Sequence, residues 1–193
     1  MNNLYLLIGE SGSGKSSIER KLVSNYGLKK VLSYTTRPVR DDDPNDIFTH
    51  TFVTKGEFDK LDNRVAYTKY DNNEYCATSD QLEEADIYVI DPAGIEFLER
   101  NYRGKKGIIK IYIHCSLSER MKRLENRDGF DAALNRIKTD IIEFRGVKDY
   151  CDYIVKNEGD LIDNAVDSVM EIIKECERSS QLSLETDGDR HDG

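Results

Sequence analysis

An α/β fold, a parallel sheet with helices on both faces, is predicted for this chain of 193 residues. Two observations predict it. Short apolar runs of buried-strand length recur at Leu4–Ile8, Val31–Tyr34, Ile87–Ile90, Ile108–Ile113 and Tyr153–Val155. Stretches with helical apolar spacing lie between most of them. Strand and helix therefore alternate, which calls for parallel pairing through crossover helices.

The first strand, Leu4–Ile8, runs into Gly9-Glu-Ser-Gly-Ser-Gly14-Lys15-Ser16. Ile18, Leu22 and Val23 then give helical spacing, so a helix is expected over Ser16–Asn25. The loop fits G-x-x-x-x-G-K-[ST], the phosphate-binding loop of P-loop proteins. Its glycines let consecutive backbone N–H groups curl around an anion, and the helix adds the positive end of its dipole. Lys15 is placed to reach the β- and γ-phosphates of a nucleotide, and the Ser16 hydroxyl to hold Mg²⁺.

The second strand leads into Ser33-Tyr-Thr35-Thr36-Arg37-Pro-Val-Arg40. Two arginines three apart among hydroxyls suit a second phosphate, because guanidinium forks bind its oxygens bidentately. A solvated loop is the alternative. Residues 35–84 then break the strand–helix rhythm, being polar, aromatic and turn-rich with "DDDPND" and "YDNN"; a small β-containing insertion over the sheet is expected. Past Ile108–Ile113, Ser116-x-x-Glu119 is a capping box opening a helix towards Asn126, and Ala132–Phe144 is a further helix. Arg120, Arg123, Arg127 and Arg136 surround the polar link Asp128–Asp131. They form either a solvated face or a lid, residues 120–140, that swings arginines over a transferring phosphoryl group and excludes water. Within it, loss of Arg120 is expected to be nearly silent. Ile162, Ala165, Val166, Val169, Met170 and Ile173 mark an amphipathic last helix. One domain over 1–178 is expected, its core 1–34 and 85–178, with a disordered tail over 179–193 where apolar residues are few.

With 37 acidic and 28 basic residues the net charge is −9, which disfavours nucleic acid or an anionic membrane as partner. Apolar runs stay short of a membrane span and no signal-peptide pattern opens the chain, so a cytoplasmic protein is expected. Cys76, Cys115, Cys151 and Cys176 are far apart and read as free or buried thiols, and His50, His114 and His191 have no metal-ligand spacing.

Taken in order, "GESGSGKSS", "SYTTRPVR", "FVTKGEF", "NNEYCAT", "DIYVIDPAG", "RLENRD" and "YIVKNE" resemble the guanylate kinase family over Leu4 to Cys176. The S-x-T-T-R-x-x-R stretch is the specific part of that resemblance. It implies a P-loop kinase that uses ATP and Mg²⁺ to phosphorylate a small nucleoside monophosphate, GMP or dGMP first, as a monomer or homodimer. By resemblance, Gly9, Ser11, Gly12, Ser13, Gly14, Lys15, Ser16 and Ser17 bind ATP, and Asn157 approaches the adenine. Ser16 and Asp91 serve the metal. Ser33, Arg37, Arg40, His50, Tyr75 and Asp91 hold the acceptor, and the insertion 35–84 is the acceptor-binding part. Lys15, Arg123, Arg127 and Arg136 carry the transfer.

Two departures bear on the acceptor. The family has a glutamate nine residues before the tyrosine matching Tyr75, where it reads guanine; here that position is Ala66. The hydroxyl that meets the base falls on Ala77, and the phosphate-binding tyrosine before "FV" is His50. A related kinase of ribose 1,5-bisphosphate shares the histidine and lacks the glutamate, so a different nucleoside monophosphate or that sugar phosphate is the alternative acceptor. Relaxed base choice is expected, with Ala66→Glu sharpening the preference for GMP if the pocket keeps the family's shape. A GTPase is disfavoured because Thr68-Lys-Tyr-Asp71 precedes Asp91-Pro-Ala-Gly94, the reverse of the GTPase order. Non-catalytic guanylate kinase-like modules usually lack the nucleotide loop, which is present here.

Overall fold

The computed structural model describes residues 1–40, 46–159 and 161–188. The fold is α/β, as the alternation predicts. Strand β1 (Asn3–Ile8) leads through the glycine-rich loop into helix α1 (Lys15–Tyr26), which Gly27 closes in the left-handed conformation by donating its N–H to Val23 O. A second, smaller sheet follows from β2 (Tyr34–Thr35), β3 (Thr51–Phe52), β4 (Arg64–Tyr70) and β5 (Asn73–Thr78), with the single-turn α2 (Lys55–Phe58) between β3 and β4. Then come α3 (Ser79–Glu84), β6 (Ile87–Val89), α4 (Pro92–Asn101), β7 (Gly107–His114), α5 (Leu117–Asp128), α6 (Phe130–Glu143), β8 (Tyr153–Lys156) and α7 (Ile162–Gly188).

The main sheet is parallel, in the order β6-β1-β7-β8. Every residue of β1 is buried, because helices or the second sheet cover both faces. Leu4, Leu6 and Ile8 pack with α3, α4 and the inner side of the second sheet; Tyr5 and Leu7 pack with α1 and α7. The second sheet, in the order β3-β2-β5-β4, is mostly antiparallel. Its β4–β5 hairpin turns at Asp71 and Asn72, both with positive φ, the backbone that a tight hairpin turn requires. Apart from Tyr34, its strands fall in residues 35–84, whose run 41–45 falls outside the described residues.

Three expectations are corrected. The apolar run Val31–Tyr34 is not one strand: Lys30 makes a single bridge to Ile87, and the chain then leaves the main sheet, so that only Tyr34 and Thr35 pair, in the other sheet. Only half of the expected capping box forms at α5. The Ser116 side chain accepts from Glu119 N, while the Glu119 carboxylate pairs with Arg123 instead. Helix α7 continues past Ser179 to Gly188. Its Glu177 accepts from Asn2 N (2.8 Å), Asn3 N (3.1 Å) and Tyr5 Oη (3.0 Å), and Ser180 Oγ accepts from Asn3 Nδ2, so polar contacts tie the helix to the start of β1 at these two residues. Residues 189–193 lie outside the described residues.

Candidate active site

The carboxyl ends of β1, β6 and β7 converge on the loop 9–14, the place where open parallel sheets bind ligands. Two glycines there are required by close approach. A Cβ on Gly9 (φ +151°) would lie 2.5 Å from Ile113 O, and one on Gly14 (φ +96°) would strike the Asn157 amide. Lys15 Nζ donates to Gly9 O (2.5 Å) and Glu10 O (3.0 Å), which aims the ammonium into the loop. Burial lowers its pKa to about 8, against the opposing pull of Asp140 and Glu10.

Two cavities meet at this loop. The first, about 330 Å³, is lined by the loop's Ser11, Gly12, Gly14, Lys15, Ser16 and Ser17 and by Arg123, Arg127 and Arg136. The second, about 410 Å³, runs from Gly9, Lys15 and Ser16 to the second sheet and takes in Ser33, Arg37, Arg40, His50, Tyr75 and Asp91. Ser11, Lys15, Ser16 and Arg136 line both. The expected nucleotide and acceptor residues are thus brought to one place, with two exceptions. Ser13 is fully buried, and Asn157 sits behind the loop, its Nδ2 donating to Ser13 O at 2.7 Å. Neither lines either of these two cavities, and both Ser13 Oγ and Asn157 Oδ1 are buried without a partner among the described residues.

The arginines differ in freedom. Arg123 is occupied, donating to Glu119 Oε1 (3.0 Å), Gly12 O (3.3 Å) and Gly159 O (2.9 Å). Arg127 pairs with its neighbour Asp128 at 2.6 Å on an exposed surface. Arg136 makes no hydrogen bond or ion pair among the described residues; its guanidinium lies over the Tyr70 ring of β4, 4.9 Å from the centroid.

In the second cavity, Arg37 forms a two-pronged pair with Asp46, both contacts at 2.8 Å. Asp46 is buried and also accepts from Arg40 N (2.8 Å). The Arg37 fork holds its carboxyl well below the usual range against the opposing effect of burial. The pair fixes the Arg37 fork beside Tyr75 and His50. His50 Nδ1 lies 3.2 Å from Ser33 Oγ, and burial, with Arg37 nearby, lowers its pKa to about 4, so the ring is neutral at pH 7. Asp91 caps α4 by accepting from Gly94 N (2.6 Å), and burial raises its pKa. Ser16 and Asp91 offer hydroxyl and carboxylate oxygen, the hard donors that suit Mg²⁺.

Ala66 and Ala77, the two positions of the missing base-reading groups, oppose each other across β4 and β5 and are no more than 1% exposed. Neither lines the cavity.

Arg120 corrects the expectation of a silent residue. Its side chain is buried, with Nε donating to Ser11 O (2.9 Å) and Nη2 to Asp140 Oδ2 (2.8 Å), and with Nη1 in an ion pair with Glu10 Oε1 at 3.1 Å. Sequence reasoning missed Asp140, Asp46 and Tyr70. Asp140 carried a signal: with Ala133 and Ile137 it completes the buried stripe of α6, and an acid on that stripe needs a partner.

A family model described as "AAA domain" matches residues 6–140. A curated guanylate kinase from Oceanobacillus iheyensis is 30% identical over 183 residues, spanning 89% of this chain and 86% of that protein. One from Mycoplasma pneumoniae is 29% identical over 173 residues, 81% of this chain and 70% of its own. The crystal structure of guanylate kinase from Anaplasma phagocytophilum shares the fold, with a TM-score of 0.61 at 23% identity over 89% of this chain and 85% of that one.

Proposed function

Since the chain belongs to the guanylate kinase family and is a nucleoside monophosphate kinase, we propose that it transfers the γ-phosphoryl group of ATP in line to the phosphate of GMP or dGMP. The observation that carries this reading is Arg136, a cation without an ion-pair partner among the described residues that faces both cavities at their junction. A phosphoryl group passing between two bound phosphates needs positive charge at that point.

The loop's N–H groups and Lys15 bind the donor's phosphates, with Ser13 and Asn157 supporting the loop from behind. Ser33, Arg37, Arg40, His50 and Tyr75 hold the acceptor's phosphate end, which makes the second sheet the acceptor-binding part. Arg123 and Arg127 complete the positive wall of a lid over 120–140. Mg²⁺ bound near Ser16 and Asp91 would neutralise phosphate charge. No general base is called for, because the attacking phosphate oxygen is already an anion; the chain's residues position and neutralise. Net charge −9, with no helix among the described residues long and apolar enough to cross a membrane, fits a cytoplasmic enzyme acting on a small molecule, monomer or homodimer.

The buried Ala66–Ala77 pair favours a second reading of the acceptor: another nucleoside monophosphate, or ribose 1,5-bisphosphate. ADP release from ATP·Mg²⁺ across the common ribo- and deoxynucleoside monophosphates plus ribose 1,5-bisphosphate separates these. Fastest turnover with GMP or dGMP is the expected result; ADP formed with none of them sinks the kinase reading. ATP-dependent stabilisation gives an independent check, since a ligand at 100 times its dissociation constant adds about 2.7 kcal/mol.

A further inference from the structure

Asp140 lies on α6 one turn beyond Arg136, and its carboxylate is shared between two groups far away in sequence. Oδ2 accepts from Ser11 N (2.8 Å) and from Arg120 Nη2 (2.8 Å), and Oδ1 from Ser11 Oγ (3.1 Å). Arg120 closes the ring: its Nε donates to Ser11 O, and its Nη1 forms an ion pair with Glu10 Oε1, while the other Glu10 oxygen accepts from Tyr112 Oη at 2.6 Å. The Arg120 and Asp140 side chains are each only 6% exposed. A buried pair whose remaining donors and acceptors are satisfied by one loop defines a single geometry for that loop.

We propose that Asp140 is a positioning residue for phosphoryl transfer: through Ser11 and Arg120 it fixes the anion-binding loop to the helix that carries Arg136, so that loop and arginine approach the transferring group as one rigid unit. This rests on the phosphotransferase reading above.

The test compares wild type with Asp140→Asn and Arg120→Lys, in steady-state kinetics run well below each variant's melting temperature. Asparagine keeps the size and an acceptor for Ser11 N but loses the charge that holds Arg120. The expected result is a fall in kcat of about 10²-fold, the scale of a small misplacement of reacting groups, with KM for ATP changed by less than about threefold. Lysine keeps a charge yet cannot span Glu10, Ser11 and Asp140 together, so a loss of about tenfold is expected. A lowered melting temperature with unchanged kcat would make the network merely structural and overturn the proposal. A rise in KM for ATP alone would also overturn it, by making Asp140 a binding aid. If Asp140→Asn does not fold, Arg120→Lys decides the question, and an unchanged kcat there overturns the idea. Wild type inactive on every acceptor removes the phosphotransferase reading and this inference with it; active wild type with unaffected variants removes this inference alone.

Discussion

Arg136 of α6 stacks over Tyr70 of β4, a cation–π contact that joins α6 to the second sheet at the wall of the second cavity. A guanidinium held by a ring face rather than by a carboxylate keeps its N–H donors for phosphate oxygens. Arg136→Ala should therefore lower kcat by about 10²-fold or more, and by more than it raises KM for ATP. Arg127→Ala should act in the same direction, its exposed pair with Asp128 being weak competition. Tyr70→Phe retains the ring face and most of the activity; Tyr70→Leu should lose a few-fold, since an exposed cation–π contact contributes about 0.5–1 kcal/mol. Steady-state kinetics decide it. Either arginine variant raising only KM would reassign that arginine to binding.

Lys15 tests the donor end. Lys15→Met should lower kcat by about 10²-fold or more while leaving the fold intact. Its pKa of about 8 in the free protein adds a pH signature. Bound phosphates favour the charged form, so binding raises the pKa and takes up a proton. Affinity for ATP should hold below pH 8 and fall by up to about tenfold per pH unit above it. Calorimetry in buffers of different ionisation enthalpy should detect proton uptake at pH 8–9 in wild type and none in Lys15→Met.

The nucleotide loop was legible in the sequence because its parts lie within eight residues of one another and its glycines answer to local geometry. The parallel sheet was legible from apolar run length. What escaped was non-local. Asp140 meets Ser11 across 129 positions, and no spacing rule reaches so far. Arg120 looked like a solvated helix arginine since its partners, Glu10 and Asp140, lie on other elements. Its removal leaves two carboxylates without a buried cation, so Arg120→Ala should destabilise by about 3–5 kcal/mol rather than pass unnoticed. Val31–Tyr34 has the composition of a core strand, but composition does not say which of two sheets a strand joins. The continuation of α7 past Ser179 was missed because few apolar residues mark it.

Asp46 and its partner Arg37 should dominate the acid behaviour around the second cavity, together with His50. Asp46 is depressed in the fold, so its contribution is present above its unfolded value of 3.8 and is lost as pH falls below that. His50 titrates at about 4 in the fold against 6.5 unfolded, so the unfolded chain binds the extra proton. Its contribution is full above pH 6.5 and lost between 6.5 and 4, on the order of 1–3 kcal/mol. Urea unfolding against pH should show that loss in wild type and a flatter profile in His50→Leu. Asp46→Asn should remove the lower limb and raise KM for the acceptor by about tenfold, as the Arg37 fork loses its charged anchor. Unchanged acceptor KM would disconnect Arg37 from substrate.

Ala66 and Ala77 set the specificity expectation. A buried carboxylate that only guanine satisfies can discriminate by about 10⁴ or more. At these two positions the chain offers methyl groups sunk in the core. GMP should therefore be preferred over AMP by less than about 10²-fold, with phosphate affinity kept through Arg37, Arg40 and Tyr75. The remedy that the sequence suggested, Ala66→Glu, now has a different expected result. Position 66 lies in the buried cluster that holds Leu82 and Tyr88 and does not line the cavity, so a glutamate there buries a charge without a partner. Lower stability by several kcal/mol is expected, not sharper choice of base. Two measurements decide: kcat/KM for GMP and AMP with wild type, and the melting temperature of Ala66→Glu. Rejection of AMP by more than about 10⁴ would mean that another acid at the cavity, Asp71 at the hairpin turn or Glu143 at the end of α6, reads the base. A stable Ala66→Glu protein with a stronger preference for GMP would show that β4 turns this position towards the acceptor after all.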